Sequence, residues 1–261
     1  MSLMQDIRAF PVERDTVAIW FVGQNGFLFK SHEGAVIGTD LYLTDSCTSI
    51  APPGMNLHRQ VPVLIAPEEV DVDFYVCTHN HQDHTDPETI ERLRNKDTAQ
   101  FIGPHPSCDV FRRKGIESGR IVPTWADRTI EIGDVKLTGT FALPTDDSDL
   151  NHLGYVFEFG SKGPKIYMTG DTDACDLLAS AARHKPDLMI PCINGGFNNL
   201  SHDEAAQLAA RIRPRAAIPA HYDMFLDNGI DPRRFESALK LRAPQVQYLQ
   251  LQHGVEFTFT L

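Results

Sequence analysis

The chain alternates short apolar runs with polar turns, and the periods of those runs predict its elements. Val17 to Val22 is continuously apolar, Gly23-Gln24-Asn25-Gly26 reads as a turn, and Phe27-Leu28-Phe29 returns. Ala35 to Asp40 is a third run, ending on an acid. Short strands separated by Gly and Asn predict a meander. Residues 46–69 are rich in proline and lack a period, which predicts a long covering loop carrying His58 and Arg59. Val72, Phe74, Tyr75, Val76 and Cys77 read as a buried strand. Phe101 to Pro104 follows as a short strand and turn. Pro106 to Lys114 follows as a helix ended by Gly115. Thr129–Ile132 and Val135–Thr138 flank Gly133-Asp134 as a hairpin.

The second half begins with a strand pair, Gly154 to Phe159 and Lys165 to Met168, and then becomes β-α-β. Asp176 to Arg183 reads as a helix and Leu188–Ile190 as a buried strand. Ser201 to Arg213 has the strongest helical pattern. Ser201 and Glu204 offer a capping box, Ala205, Leu208, Ala209 and Ile212 share one face, and Pro214 stops it. Ala216 to His221 is a strand ending on a histidine. Val246 to Phe259 alternates about His253-Gly254 and predicts a final hairpin. Strands with helices in both halves point to two packed sheets with helices outside. At 261 residues, one domain over residues 1–261 is favoured over two.

Composition narrows the partners. The net charge of −11 argues against a broad nucleic-acid or anionic-membrane surface, while leaving room for a small-molecule substrate. No apolar run reaches the length of a membrane helix, and no basic-then-apolar leader is visible at the N-terminus. Met4 offers a second start, so Met1 to Leu3 are set aside from the fold argument. The five cysteines are scattered, odd in number and without a C-x-x-C pair, which fits a reducing cytoplasm. An assembly of identical chains stays open.

The chemistry concentrates in Thr78-His79-Asn80-His81-Gln82-Asp83-His84-Thr85-Asp86. His79 and His81 stand two apart and can reach one ion from an extended chain. Asp83 and His84 are adjacent and diverge, so a tight turn would aim them at a second point nearby. A strand precedes this stretch. Asp86 is suited to cap a helix with Pro87 at its first position. Half of a dinuclear site needs more donors, and three stand at strand ends: His152, Asp171 and His221. His152 can join His79 and His81, His221 can join Asp83 and His84, and the carboxylate of Asp171 suits a bridge. Imidazole and carboxylate donors without thiolate admit zinc, manganese or iron.

This order of His-x-His-x-Asp-His, then His, Asp and His, resembles the metallo-β-lactamase superfamily over most of the chain. The resemblance is nearer to the L-ascorbate-6-phosphate lactonase group, through the motif at 78–86, Phe101-Ile102-Gly103-Pro104, Thr169-Gly170-Asp171-Thr172 and Ile218-Pro219-Ala220-His221-Tyr222-Asp223. It implies an α/β (α+β) fold, a four-layered αββα sandwich with the site at one edge of the sheets. It also implies manganese or zinc. Asn80 stands where that lactonase has an acid. His152 has no counterpart there, so one ion or two remain open. His81 argues against the di-iron flavoprotein branch.

The expected activity is metal-dependent hydrolysis of a small sugar-derived lactone, with or without a phosphate, such as L-ascorbate 6-phosphate. Asp83 is the catalytic candidate, able to orient the water or take its proton. A phosphodiesterase and a metal-binding protein without turnover are the alternatives. Asp40, at a strand end, is expected behind a ligating histidine. His105, Asn194 and His202 are the remaining candidates for supporting or substrate contacts, and His32, His184 and His253 read as surface residues.

Overall fold

The computed structural model describes residues 2–145 and 151–261. The meander forms as expected: β1 (Thr16–Gly23), β2 (Gly26–Lys30) and β3 (Val36–Thr39) pair antiparallel in sequence order. Three short parallel strands extend that sheet: β4 (Phe74–Val76), β5 (Gln100–Gly103) and β6 (Ile121–Pro123). The second sheet repeats the design. Strands β7 (Thr129–Ile132), β8 (Val135–Phe141), β9 (Leu153–Phe159) and β10 (Lys165–Met168) are antiparallel. Strands β11 (Leu188–Ile190), β12 (Ala216–Ala217) and β13 (Gln247–Tyr248) continue it in parallel. The last strand, β14 (Phe257–Thr260), returns to the first sheet and pairs with β1.

Strand β1 explains why the apolar runs are continuous rather than alternating. Val17, Ile19 and Phe21 point into the layer between the sheets, with Phe27, Phe29, Phe157 and Ile166. Ala18, Trp20 and Val22 point the other way, into a second cluster with α1 (Leu3–Ala9), α2 (Pro87–Arg92) and α3 (His105–Arg113). Both faces are therefore dry. Helices α4 (His202–Ile212) and α5 (Arg233–Arg242) bring Ala205, Leu208, Ala209, Phe235 and Leu239 to the cluster of the second sheet. The layers are helix, sheet, sheet, helix.

Three sequence expectations change. Val246 to Phe259 is not a hairpin: its two strands join different sheets, and the turn at His253-Gly254 carries the chain across between them. Asp176–His184 winds as 3-10 turns rather than as an α-helix, with Leu178 and Ala181 buried. The run at 216–221 is a strand only over Ala216–Ala217, and His221 adopts φ +59°. Leu3, set aside from the fold argument, begins α1 and packs on the helix-side cluster. The caps form as read: Asp86 accepts from Glu88 N at 3.0 Å, and Ser201 and Glu204 close a capping box.

Candidate metal centre

Four loops at one end of the sheets bring the candidate residues together. The loop after β4 carries His79, His81, Asp83 and His84. His152 precedes β9, Asp171 follows β10, and His221 follows β12. Their donor atoms form three overlapping triads: His79, His81 and His152; His79, His84 and Asp171; Asp83, His84 and His221. Within each triad the atoms lie within 4.8 Å of one another. His84 Nε2 is 3.3 Å from Asp171 Oδ1, and His221 Nε2 is 3.3 Å from Asp171 Oδ2. The two oxygens of Asp171 thus face two different histidines.

Backbone conformation aims these groups. Asp40, Gln24 and His221 all have positive φ (+43°, +57° and +59°), which non-glycine residues adopt at a cost of about 1–2 kcal/mol each. The contacts that hold them link the sheets: His221 N donates to Gln24 O at 2.6 Å, and Gln24 N donates to Asp223 Oδ1 at 3.0 Å. Gly170, at φ +62°, lets Asp171 approach the β4 loop. A Cβ there would stand 2.7 Å from Leu153 O and 2.9 Å from Thr78 Cβ. Gly170→Ala is therefore expected to lower the melting temperature and the metal content together, as thermal unfolding and elemental analysis would show. Wild-type values for both would mean that the close approach is immaterial.

Asp40 is the buried anchor of the arrangement. It is wholly inaccessible and accepts from Thr78 N (2.8 Å), Thr78 Oγ1 (2.6 Å), Asn25 Nδ2 (2.6 Å) and His84 Nδ1 (2.8 Å). Because the Thr78 hydroxyl gives its proton to Asp40, it can only accept from His79 Nδ1, 3.0 Å away. One carboxylate thus orients His84 directly and His79 through Thr78, turning both Nε2 atoms inward. His79 Nε2, His84 Nε2 and Asp171 Oδ1 are buried and have no hydrogen-bond partner among the described residues. Buried polar atoms are rarely left so. An imidazole and carboxylate set with such inward atoms fits a divalent cation.

The electrostatics agree. Burial opposes charge on Asp83 and Asp171, but the rings of His84 and His221 outweigh it and hold both carboxyls well below their usual range. Burial also opposes charge on His221, yet Asp171 and Asp83 raise it to about 9, and the same acids raise His84 well above its ordinary value. His79 goes the other way, pushed well down by burial and then by His84, His152 and His81, so it is neutral and ready to ligate. In metal-free protein, the neighbouring acids favour the protonated forms of His84 and His221. Because the folded His221 value lies above the unfolded one of 6.5, its stabilisation is complete below about pH 6.5 and is lost as pH rises through about 9. Metal uptake near pH 7 is expected to release at least one proton, and fewer as pH passes about 9. Calorimetry in buffers of different ionisation heat checks this, and no release near pH 7 would contradict it.

The other candidates are placed elsewhere. His105 is exposed at the start of α3 and does not line the cavity at the cluster. His202, at the start of α4, lies in a separate shallow hollow with Asp231 and Arg233. Asn194 ties its loop to the 226–228 turn, donating to Asn228 Oδ1 at 2.8 Å and to Gly196 O at 3.3 Å. His58 is an exposed partner of Asp45. His253, expected on the surface, is half-buried, stacks on Phe21 and pairs with Asp223.

Residues missed from sequence are Gln24, whose Nε2 donates to Asp83 Oδ2 at 2.6 Å, and Asn199, which donates to Asp171 Oδ2 at 2.8 Å. Asn25 and Thr78, which hold Asp40, were missed as well. The first turn looked like turn chemistry alone, and Asn199 like loop polarity. The positive φ of Gln24 is visible only in three dimensions.

A family model described as "Beta-lactamase superfamily domain" matches residues 41–222. A "UPF0173 metal-dependent hydrolase" of Archaeoglobus fulgidus is 26% identical over 200 residues, covering 75% of this chain and 85% of the relative. A "Probable L-ascorbate-6-phosphate lactonase UlaG" of Salmonella heidelberg is 20% identical across 99% of this chain and 85% of its own length. Among solved structures, the metallo hydrolase Igni18 of Ignicoccus hospitalis superposes with a TM-score of 0.74 at 19% identity, over 94% of this chain and 99% of that one. An isothiocyanate hydrolase from Delia radicum gut bacteria superposes with 0.75 at 15% identity, over 94% and 100%. These superpositions show a shared fold, and the family match covers well over half of the sequence. The chain belongs to the beta-lactamase superfamily domain family, and so to the metallo-β-lactamase superfamily.

Proposed function

We propose that this protein is a metal-dependent hydrolase of small lactones or related carboxyl esters, working with manganese or zinc. The observation that carries the reading is the position of Asp171, one oxygen facing His84 and the other His221, between the two halves of the donor set. His79, His81 and His152 would hold one ion, Asp83, His84 and His221 a second, and Asp171 would touch both. Bound divalent ions supply electrophilic polarisation and a water whose pKa falls towards neutrality.

The protein's own groups do the rest. Asp83 lines the cavity beside the cluster and is ionised, so an oxygen not engaged by an ion can accept a hydrogen bond from the attacking water and orient it. Gln24 fixes that carboxylate through Oδ2. Asp40 keeps the two inward histidines in one tautomer. Cys47 also lines the cavity, but burial and then the charge of Asp83 push its thiol far up, so it is not a thiolate nucleophile. Relatives named metal-dependent hydrolases and a lactonase support the reading.

The test compares turnover of a lactone panel with that of bis(p-nitrophenyl) phosphate, on protein of measured metal content. Chelator-sensitive lactone or ester hydrolysis is expected. Cleavage of the phosphodiester alone would replace the substrate class. No turnover of any kind at full metal loading would remove the hydrolase reading.

A further inference from the structure

The cavity at the donor cluster has a volume of about 880 Å³, within the range of small-molecule sites. Its walls are of two kinds. Asp83, Asp171, His81 and His221 form the floor at the cluster, and Asp173 adds a further acid. The other part of the lining is apolar: Ile50, Pro52, Leu57, Phe197 and Phe225. No Lys or Arg is among the described residues that line it.

The apolar wall is built rather than incidental. Leu57, Cys47 and Phe225 belong to a small cluster of their own beneath the 46–69 loop. Phe197 and Ile50 stay 51% and 58% exposed at the cavity, although large apolar side chains gain by burial. Phe197 and Asn198 are consecutive residues at positive φ (+52° and +60°), a conformation that non-glycine residues hold at a cost. The loop is pinned in that state. Asn198 Nδ2 donates to Thr145 O at 2.9 Å, Asn199 N to Gly196 O at 3.0 Å, and Asn194 Nδ2 to Asn228 Oδ1 at 2.8 Å. The result presents an aromatic ring to the cavity. The remaining polar lining near it is neutral carboxamide: Asn80, Asn198 and Asn228.

A phosphoryl group away from the metals is best held by a cation, and the described lining offers none there and adds the acid Asp173. We infer that the substrate is an uncharged lactone or ester bearing an apolar arm, seated against Phe197, Ile50 and Phe225, and not a phosphorylated sugar lactone. This rests on the hydrolase reading of the same site and narrows its substrate.

The experiment compares three γ-lactones on metal-loaded protein: unsubstituted, with a pentyl arm, and with a phosphorylated arm of similar length. At about fourfold per buried methylene, kcat/KM for the pentyl lactone is expected to exceed that for the phosphorylated one by at least about 30-fold. Phe197→Ser should raise KM for the pentyl lactone and cut this preference about tenfold, with metal content and melting temperature unchanged. Equal or better turnover of the phosphorylated lactone, or an unaltered preference in Phe197→Ser, overturns the inference. Calorimetric binding of the three matching lactams, which requires no turnover, separates the two readings. Preference for the pentyl lactam without hydrolysis of any lactone sustains the cavity assignment and removes the hydrolase. Equal binding of the pentyl and phosphorylated lactams removes the cavity assignment even if lactones are hydrolysed.

Discussion

Replacing Asp171 by alanine is expected to abolish tight binding of at least one metal ion and to lower kcat/KM by roughly three orders of magnitude, the scale at which a preorganised charge-stabilising group is missed. The side chain is 7% accessible, and each of its oxygens lies 3.3 Å from a different histidine. Asp83 is not free to take over, because its carboxylate already accepts from Gln24 and lies 3.4 Å from His84 and His221. Asn199 would lose its acceptor as well. In metal-free protein the loss leaves His84 and His221 without their foremost anionic partner, so both should become more acidic. Elemental analysis after dialysis, paired with steady-state kinetics, checks the prediction. Full metal retention with near-normal kcat/KM would show that Asp171 is not shared between ions.

Asp40→Ala should produce the largest loss of stability. It deletes a carboxylate with no exposure and leaves Thr78 N, Thr78 Oγ1, Asn25 Nδ2 and His84 Nδ1 without their acceptor. Removing one member of a buried, charged, hydrogen-bonded group costs about 3–5 kcal/mol. Metal affinity should fall by roughly 10–100-fold, the usual effect of losing the partner of a ligating histidine. Asp40→Asn keeps the shape and one acceptor oxygen, so it should fall between wild type and alanine in both. Urea unfolding of the metal-free proteins isolates the stability effect from the metal. A change below about 1 kcal/mol, no more than one ordinary hydrogen bond, would mean that the network around Asp40 is redundant.

The sheet order could be anticipated only in part. Continuous apolar runs such as Val17 to Val22 show a strand buried on both faces, and the helix caps at Asp86 and Ser201 are local chemistry that the structure reproduces. The destination of the last strand is not local. Alternation in residues 246–259 marks strands but carries no information about which sheet each joins, and the two join different ones. The site divides along the same line. The seven donors are legible because the residue types and strand-end positions are in the chain itself, and the fold brings them together. Gln24, Asn25 and Asn199 are not, because a carboxamide in a turn looks the same whether it faces water or a buried carboxylate. His105 and His202 show the converse: a histidine near a motif or a helix start suggests chemistry, yet the fold directs both away from the cluster.

Under the proposed function, the seven side chains would hold two ions, one on either side of Asp171. Anomalous diffraction from crystals of manganese- or zinc-loaded protein tests it most directly. Two peaks roughly 3.5–4 Å apart are expected, as in two-metal hydrolytic sites. One should lie among His79, His81 and His152, the other among Asp83, His84 and His221, with Asp171 touching both. A single peak at full loading, or two peaks of which Asp171 touches only one, would contradict it.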